Sequence, residues 1–151
     1  MKEFENIDEI LDFAINEEQQ AVDFYISLAE NAKNEYMKTT FFDFAKEEVN
    51  HKNRLMDIKQ NGLFTMKPEM VADLKISDYT VSVHPTPNMT YSDALVLAMK
   101  KEKAAFKLYS KLAERAPDAG IKDVFLSLAA EESKHKLRFE IEYDEFVLKE
   151  N

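Results

Sequence analysis

Apolar residues recur along most of this chain at intervals of three and four, the spacing of a helix that buries one face. The first run is Ile7, Ile10, Leu11, Ala14, Ile15, Ala21, Val22, Tyr25 and Leu28. The second is Met37, Phe41, Phe44, Ala45, Leu55 and Ile58, with Asn61-Gly62 as its C-terminal stop. The third is Ala94, Leu95, Ala98, Met99, Ala105, Phe106, Tyr109 and Leu112, and it ends before Pro117. The fourth is Ile121, Val124, Phe125, Leu128, Ala129, Phe139 and Phe146, and it runs close to the C-terminus. Asn6 with Glu9, and Thr90 with Asp93, are capping-box-like starts. Asn31–Glu35 reads as a turn. The pattern predicts four helices of roughly 25–30 residues, each about 37–45 Å long.

The runs are related in pairs. A shift of 84 residues lays Asn6–Leu55 on Thr90–Phe139 without a gap. Leu11 falls on Leu95, Glu18 on Glu102, Tyr25 on Tyr109, Glu47-Glu48 on Glu131-Glu132 and His51-Lys52 on His135-Lys136. Two copies at so long a period describe a duplicated helical hairpin rather than a solenoid. The expected architecture is all-α: one four-helix bundle domain over residues 1–151, with hairpins at 6–62 and 90–150 and a crossover at 63–89. Pro68, Pro85 and Pro87 fall in that crossover. Lys75–Val83 alternates weakly and reads as extended, without being a sheet strand.

Composition removes several classes of function. The chain has no Cys, which excludes disulfides, thiolate metal sites and a thiol nucleophile. Its net charge is −9, with no basic stripe, so nucleic acid and anionic membranes are poor partners. No apolar stretch approaches the length of a membrane span. The start, MKEFENIDEI, lacks the basic and apolar regions of a signal peptide, and a cytoplasmic location is expected.

Charged residues then appear on the wrong faces. At 100° per residue, Glu18 lies about 20° from both Leu11 and Tyr25. Glu102 repeats this between Leu95 and Tyr109. Glu48 and His51 sit among Phe44, Ala45 and Leu55, and Glu132 and His135 among Leu128, Ala129 and Phe139. Four Glu and two His therefore face the core from all four helices. Each isolated buried charge costs several kcal/mol. Two divalent cations would cancel the four carboxylates, and a Glu and His three apart can reach one ion. Alanines 14, 21, 98 and 105 leave room beside Glu18 and Glu102. Carboxylate with imidazole suits iron, manganese or zinc.

Other residues admit two readings. Tyr25 and Tyr109 are either core aromatics or hydroxyl donors to ligand carboxylates. Glu47 and Glu131 are either exposed helix residues or carboxylates that orient a histidine on the facing helix. His84, in the crossover, reads as incidental, and Met66, Met70 and Met89 as packing.

Glu18, Glu48-x-x-His51, Glu102 and Glu132-x-x-His135 resemble the ligand set of the ferritin-like di-iron carboxylate proteins. The hairpin text, Ala14-x-x-x-Glu18-x-x-Ala21-x-x-Phe24-Tyr25 and Ala45-x-Glu47-Glu48-x-x-His51, is most similar to the rubrerythrin-like branch. The resemblance implies that Glu48 and Glu132 bridge two irons, with Glu18 and His51 terminal on one and Glu102 and His135 on the other. It also implies peroxide reduction, ferrous oxidation by oxygen, or iron storage and handling. Full-length rubrerythrins carry a cysteine-ligated rubredoxin domain; here the electron donor must be a separate protein, such as a rubredoxin. They also place an extra Glu three residues after the terminal one in the third helix, where this chain has Ala105. The remaining set is more like the bacterioferritin centre, but no short fifth helix follows, which points away from a storage cage.

The leading expectation is a redox enzyme that reduces hydrogen peroxide or oxygen. The alternatives are non-catalytic iron handling or storage and, more remotely, an interaction protein with a vestigial site. Phe13, Phe24, Ile26, Phe42, Leu126 and Leu137 lie off the ligand-bearing stripes. They predict an apolar patch and a homodimer.

Overall fold

The computed structural model describes residues 3–81, 85–86 and 88–148. His84 and Pro87, and residues 82 and 83 of the weakly alternating stretch, lie outside the described residues. The chain forms α1 (Ile7–Glu30), α2 (Glu35–Gln60), a short α3 (Pro68–Ala72), α4 (Tyr91–Glu114) and α5 (Ala119–Tyr143). One turn of π-helix, Asp144–Leu148, continues α5. No strand occurs among the described residues.

Side-chain caps start the four long helices. Asn6 Oδ1 accepts the Glu9 amide at 2.9 Å, and Thr90 Oγ1 accepts that of Asp93 at 3.1 Å. Glu9 reaches back one residue further than a capping box requires, to the amide of Glu5 at 2.9 Å. The second helix of each hairpin is capped too: Asn34 Oδ1 accepts from Met37 at 2.8 Å and Asp118 Oδ1 from Ile121 at 2.9 Å. These caps are also 84 residues apart. Gly62, at φ 59°, ends α2. The Leu63 amide bonds the Ile58 carbonyl at 3.0 Å and Gly62 bonds that of Lys59 at 3.2 Å, the two bonds of a Schellman motif.

α1 packs along α2 and α4 along α5, while the two hairpins approach each other less closely. In every long helix a polar layer divides the apolar core in two. One half contains Leu11, Leu55, Leu112 and Phe125, and the other Tyr25, Phe41, Leu95 and Phe139. Glu18, Glu48, His51, Glu102, Glu132 and His135 lie between the halves along the sequence, and all are buried.

The crossover differs from its expected form. Pro68 opens α3 from an extended Lys67, and Ile76–Asp78 is a 3-10 turn rather than an extended segment. The reason is burial on one side only. Phe64, Val71, Leu74 and Tyr79 all face the first half of the core, a spacing that turns satisfy and a strand does not. Arg115 Nη2 bonds Asp73 Oδ2 at 2.6 Å and ties the crossover to the end of α4. Met66 and Met89 pack against opposite core halves. Phe24 is buried and Phe13 packs against the core, whereas Ile26, Leu126 and Leu137 are exposed at 37%, 47% and 57%. No helix among the described residues is long and apolar enough to cross a membrane.

Candidate metal centre

Glu18 and Glu102 occupy the middles of α1 and α4. Glu48 with His51 and Glu132 with His135 face them from α2 and α5. Two overlapping groups result. One joins Glu18, Glu48, His51 and Glu132, the other Glu48, Glu102, Glu132 and His135, and within each the donor atoms all lie within 4.8 Å of one another. Glu48 and Glu132 belong to both groups, the position of bridging carboxylates.

Each histidine turns Nδ1 inward. His51 Nδ1 lies 2.9 Å from Glu132 Oε1, 3.5 Å from Glu18 Oε2 and 3.6 Å from Glu48 Oε2. His135 Nδ1 lies 3.0 Å from Glu48 Oε1 and 3.8 Å from Glu102 Oε2. These approaches are not aligned as hydrogen bonds. Glu18 Oε2, both oxygens of Glu48, Glu102 Oε2, Glu132 Oε1 and both Nδ1 atoms are buried without a hydrogen-bond partner. The large majority of buried polar atoms in proteins are paired. A set that converges without pairing has the geometry of ligands, and two divalent ions fit it in charge and donor type. Glu18, Glu48, His51 and Glu132 would hold one ion, and Glu48, Glu102, Glu132 and His135 the other.

Without ions the cluster is electrostatically costly. Burial raises the pKa of Glu132 to about 7, helped by the charge of Glu48 and opposed by contact with His51. Burial likewise raises Glu18, Glu48 and Glu102, each with a neighbouring carboxylate adding to the effect. Burial alone would lower His51, but contacts with Glu132, Glu18 and Glu48 prevail and raise it to about 12. His135 rises for the same reason, through Glu102, Glu47 and Glu48.

A second ring of side chains surrounds the candidate ligands. Glu47 Oε2 lies 2.5 Å from His135 Nε2, and that contact lowers the Glu47 pKa. Glu131 Oε2 lies 3.5 Å from His51 Nε2 but 2.7 Å from Arg54 Nη2. Each carboxylate thus meets the histidine of the facing helix. Tyr109 donates its hydroxyl to Glu18 Oε1. The Tyr25 hydroxyl is buried and has no hydrogen-bond partner; its ring packs against Phe139 and meets His135 edge-on. Of the two tyrosine hydroxyls, that of Tyr109 bonds a candidate ligand and that of Tyr25 does not.

Three further residues shape the site, and the sequence pattern assigns none of them a role there. Arg54 holds Glu131. Phe44 stacks on the His135 ring at 4.0 Å and fixes its plane. Tyr79 of the crossover helps line a cavity between α1 and α4 that reaches Glu18, Glu48, Glu102 and Glu132. Arg54 carried a signal, since Arg138 stands 84 residues later, each three residues after a ligand histidine.

The rubrerythrin family model matches residues 9–143, which includes all six candidate ligands. A solved structure titled "Hypothetical Protein Pfu-1136390-001", from Pyrococcus furiosus, is similar at a TM-score of 0.71 and 26% identity, over 91% of this chain and 87% of that one. No curated protein matches the chain. The family match, the all-helical bundle and the buried Glu/His layer agree with one another, and the chain belongs to the rubrerythrin family.

Proposed function

We propose that this protein is a di-iron oxidoreductase that reduces hydrogen peroxide or oxygen with electrons from a separate donor protein. The observation that carries this reading is the convergence of six buried Glu and His side chains, with inward donor atoms that lack hydrogen-bond partners, inside a rubrerythrin-family bundle. Iron held there supplies one electron per ion and the Lewis acidity to polarise an O–O bond. The chain's own residues do the rest. Glu18, Glu48, Glu102 and Glu132 balance the charge of the ions. Phe44 and Glu47 fix the His135 ring.

The cavity between α1 and α4 brings substrate to the carboxylates. Its volume for water-sized molecules is about 30 Å³. A space this small admits only small molecules, such as water, oxygen or hydrogen peroxide. Ala14, Ala21 and Ala105 keep it open. Reduction of peroxide to two waters consumes two protons. Lys101, which also lines the cavity, holds a proton at Nζ that burial loosens and Glu17 retains. Tyr109 holds another, on the hydroxyl bonded to Glu18.

Stopped-flow mixing of the diferrous protein with hydrogen peroxide tests this reading. Oxidation much faster than that of free ferrous iron is expected. Cumene hydroperoxide should react about 5–150-fold more slowly, because overfilling a packed space costs about 1–3 kcal/mol. Oxidation no faster than free ferrous iron would refute the enzyme.

Iron handling or storage is the second reading, supported by the same two Glu/His groups, which could hold metal ions without any redox turnover. Excess ferrous iron with oxygen separates the two: many irons retained per chain supports storage, and uptake that stops near two supports the enzyme. The exposed Ile26, Leu126 and Leu137 support pairing of two copies through helix faces. Light scattering should give a mass near twice 17.5 kDa. A mass of one chain, or a very large particle, would contradict the homodimer.

A further inference from the structure

The internal repeat makes each half of the centre a control for the other. The ligands obey the 84-residue register, and their supports do not. On one side Tyr109 donates to Glu18; on the other its counterpart Tyr25 has no acceptor among the described residues. Arg54 grips Glu131 at 2.7 Å, which leaves Glu131 3.5 Å from His51. Its counterpart Arg138 ignores Glu47. It donates to Met37 Sδ at 3.1 Å and lies over the Tyr36 ring, 5.1 Å from the centroid. Glu47 is therefore free to sit 2.5 Å from His135. Phe44 stacks on His135, while the matching position beside His51 is Leu128, which has no aromatic ring.

These differences act in one direction. A hydrogen bond donated to Glu18 draws charge from that ligand. A guanidinium on Glu131 draws charge from the carboxylate that would strengthen His51. Neither subtraction occurs at Glu102 or at Glu47, so His135 has an undivided carboxylate behind it. A carboxylate hydrogen-bonded to a ligand imidazole raises its basicity, and loss of such a partner typically changes metal affinity by about 10–100-fold.

We infer that the two metal positions are inequivalent, with the Glu102–His135 position binding a divalent ion first and more tightly than the Glu18–His51 position, because Arg54 and Tyr109 weaken the second donor set while Arg138 and Tyr25 leave the first intact. Arg54 and Glu47 are positioning residues, acting through Glu131 and His135. This inference rests on the six-ligand reading of the site but not on redox activity.

Calorimetric addition of Co²⁺ to the metal-free full chain tests it. Two binding steps are expected, separated by about tenfold or more in affinity. Arg54→Met should tighten the weaker step and narrow the gap, a gain that structural damage would not produce. Arg54→Lys keeps the charge and should restore the wild-type separation. Glu47→Gln should weaken the tighter step, and Arg138→Met should change neither. Two steps of equal affinity would overturn the inference, as would Arg54→Met and Glu47→Gln acting on the same step. Failure to take up any Co²⁺ would overturn the site itself.

Discussion

Stripping the metal is expected to lower the melting temperature by about 10–20 °C at pH 8. Each ion that binds only the native state adds about 2.7 kcal/mol at 100 times its dissociation constant. For a chain of this size each kcal/mol shifts the midpoint by about 2–4 °C. The deficit should shrink in mild acid. The Glu132 carboxyl has a native pKa raised to about 7, from an ordinary 4.5. The native state therefore holds more protons than the unfolded chain between these values, and metal-free stability falls as pH rises from about 4.5 through 7. Glu18, Glu48 and Glu102 shift in the same direction. His51, raised to about 12 from 6.5, contributes stability that is full below pH 6.5 and is lost as pH climbs towards its native value. All these groups make the metal-free form more stable at pH 5 than at pH 8. Metal binding runs the other way, because ligation requires deprotonated donors. Scanning calorimetry of both forms from pH 5 to 8 checks this. A gap that fails to widen with pH would show that the cluster does not ligate.

Glu48→Leu should separate stability from metal binding. Glu48 is fully buried, and both of its oxygens lack hydrogen-bond partners. Replacing it by an apolar residue of similar size removes a like-charge contact with Glu18 and Glu132. The metal-free protein should become more stable at pH 8, because four carboxylates face only two histidines and relief of like-charge repulsion outweighs the loss of the Glu48 contact with His135. The same substitution removes a bridging ligand from both positions, so uptake of an ion pair should be abolished. Urea unfolding and metal analysis read the two effects. A variant that is less stable without metal, or that still holds an ion pair, would contradict the bridging role.

Much of this was legible because the helices are long and the repeat is gapless. Glu18 and Glu102 stand out only because Leu11, Tyr25, Leu95 and Tyr109 define the faces they interrupt. A single hairpin would leave each Glu-x-x-His an ordinary helix pair. The crossover was less legible. Its anchors Phe64, Val71, Leu74 and Tyr79 have no constant period, since short turns take their shape from the surface they cover. The partners of Arg54 and Arg138 were hidden for a different reason. The two arginines are matched in sequence, but Tyr36 and Met37 offer Arg138 a ring and a sulfur that draw it from Glu47. The matching positions for Arg54 are Gly120 and Ile121, which offer neither.

Six side chains from four helices are expected to hold two metal ions. Metal content of the natively purified protein, measured by mass spectrometry beside amino-acid quantitation, tests it most directly. About two ions per chain are expected, iron foremost, falling well below one in Glu48→Leu. A wild-type protein purified without chelator that carries no iron, manganese or zinc, and takes none up anaerobically, would contradict it.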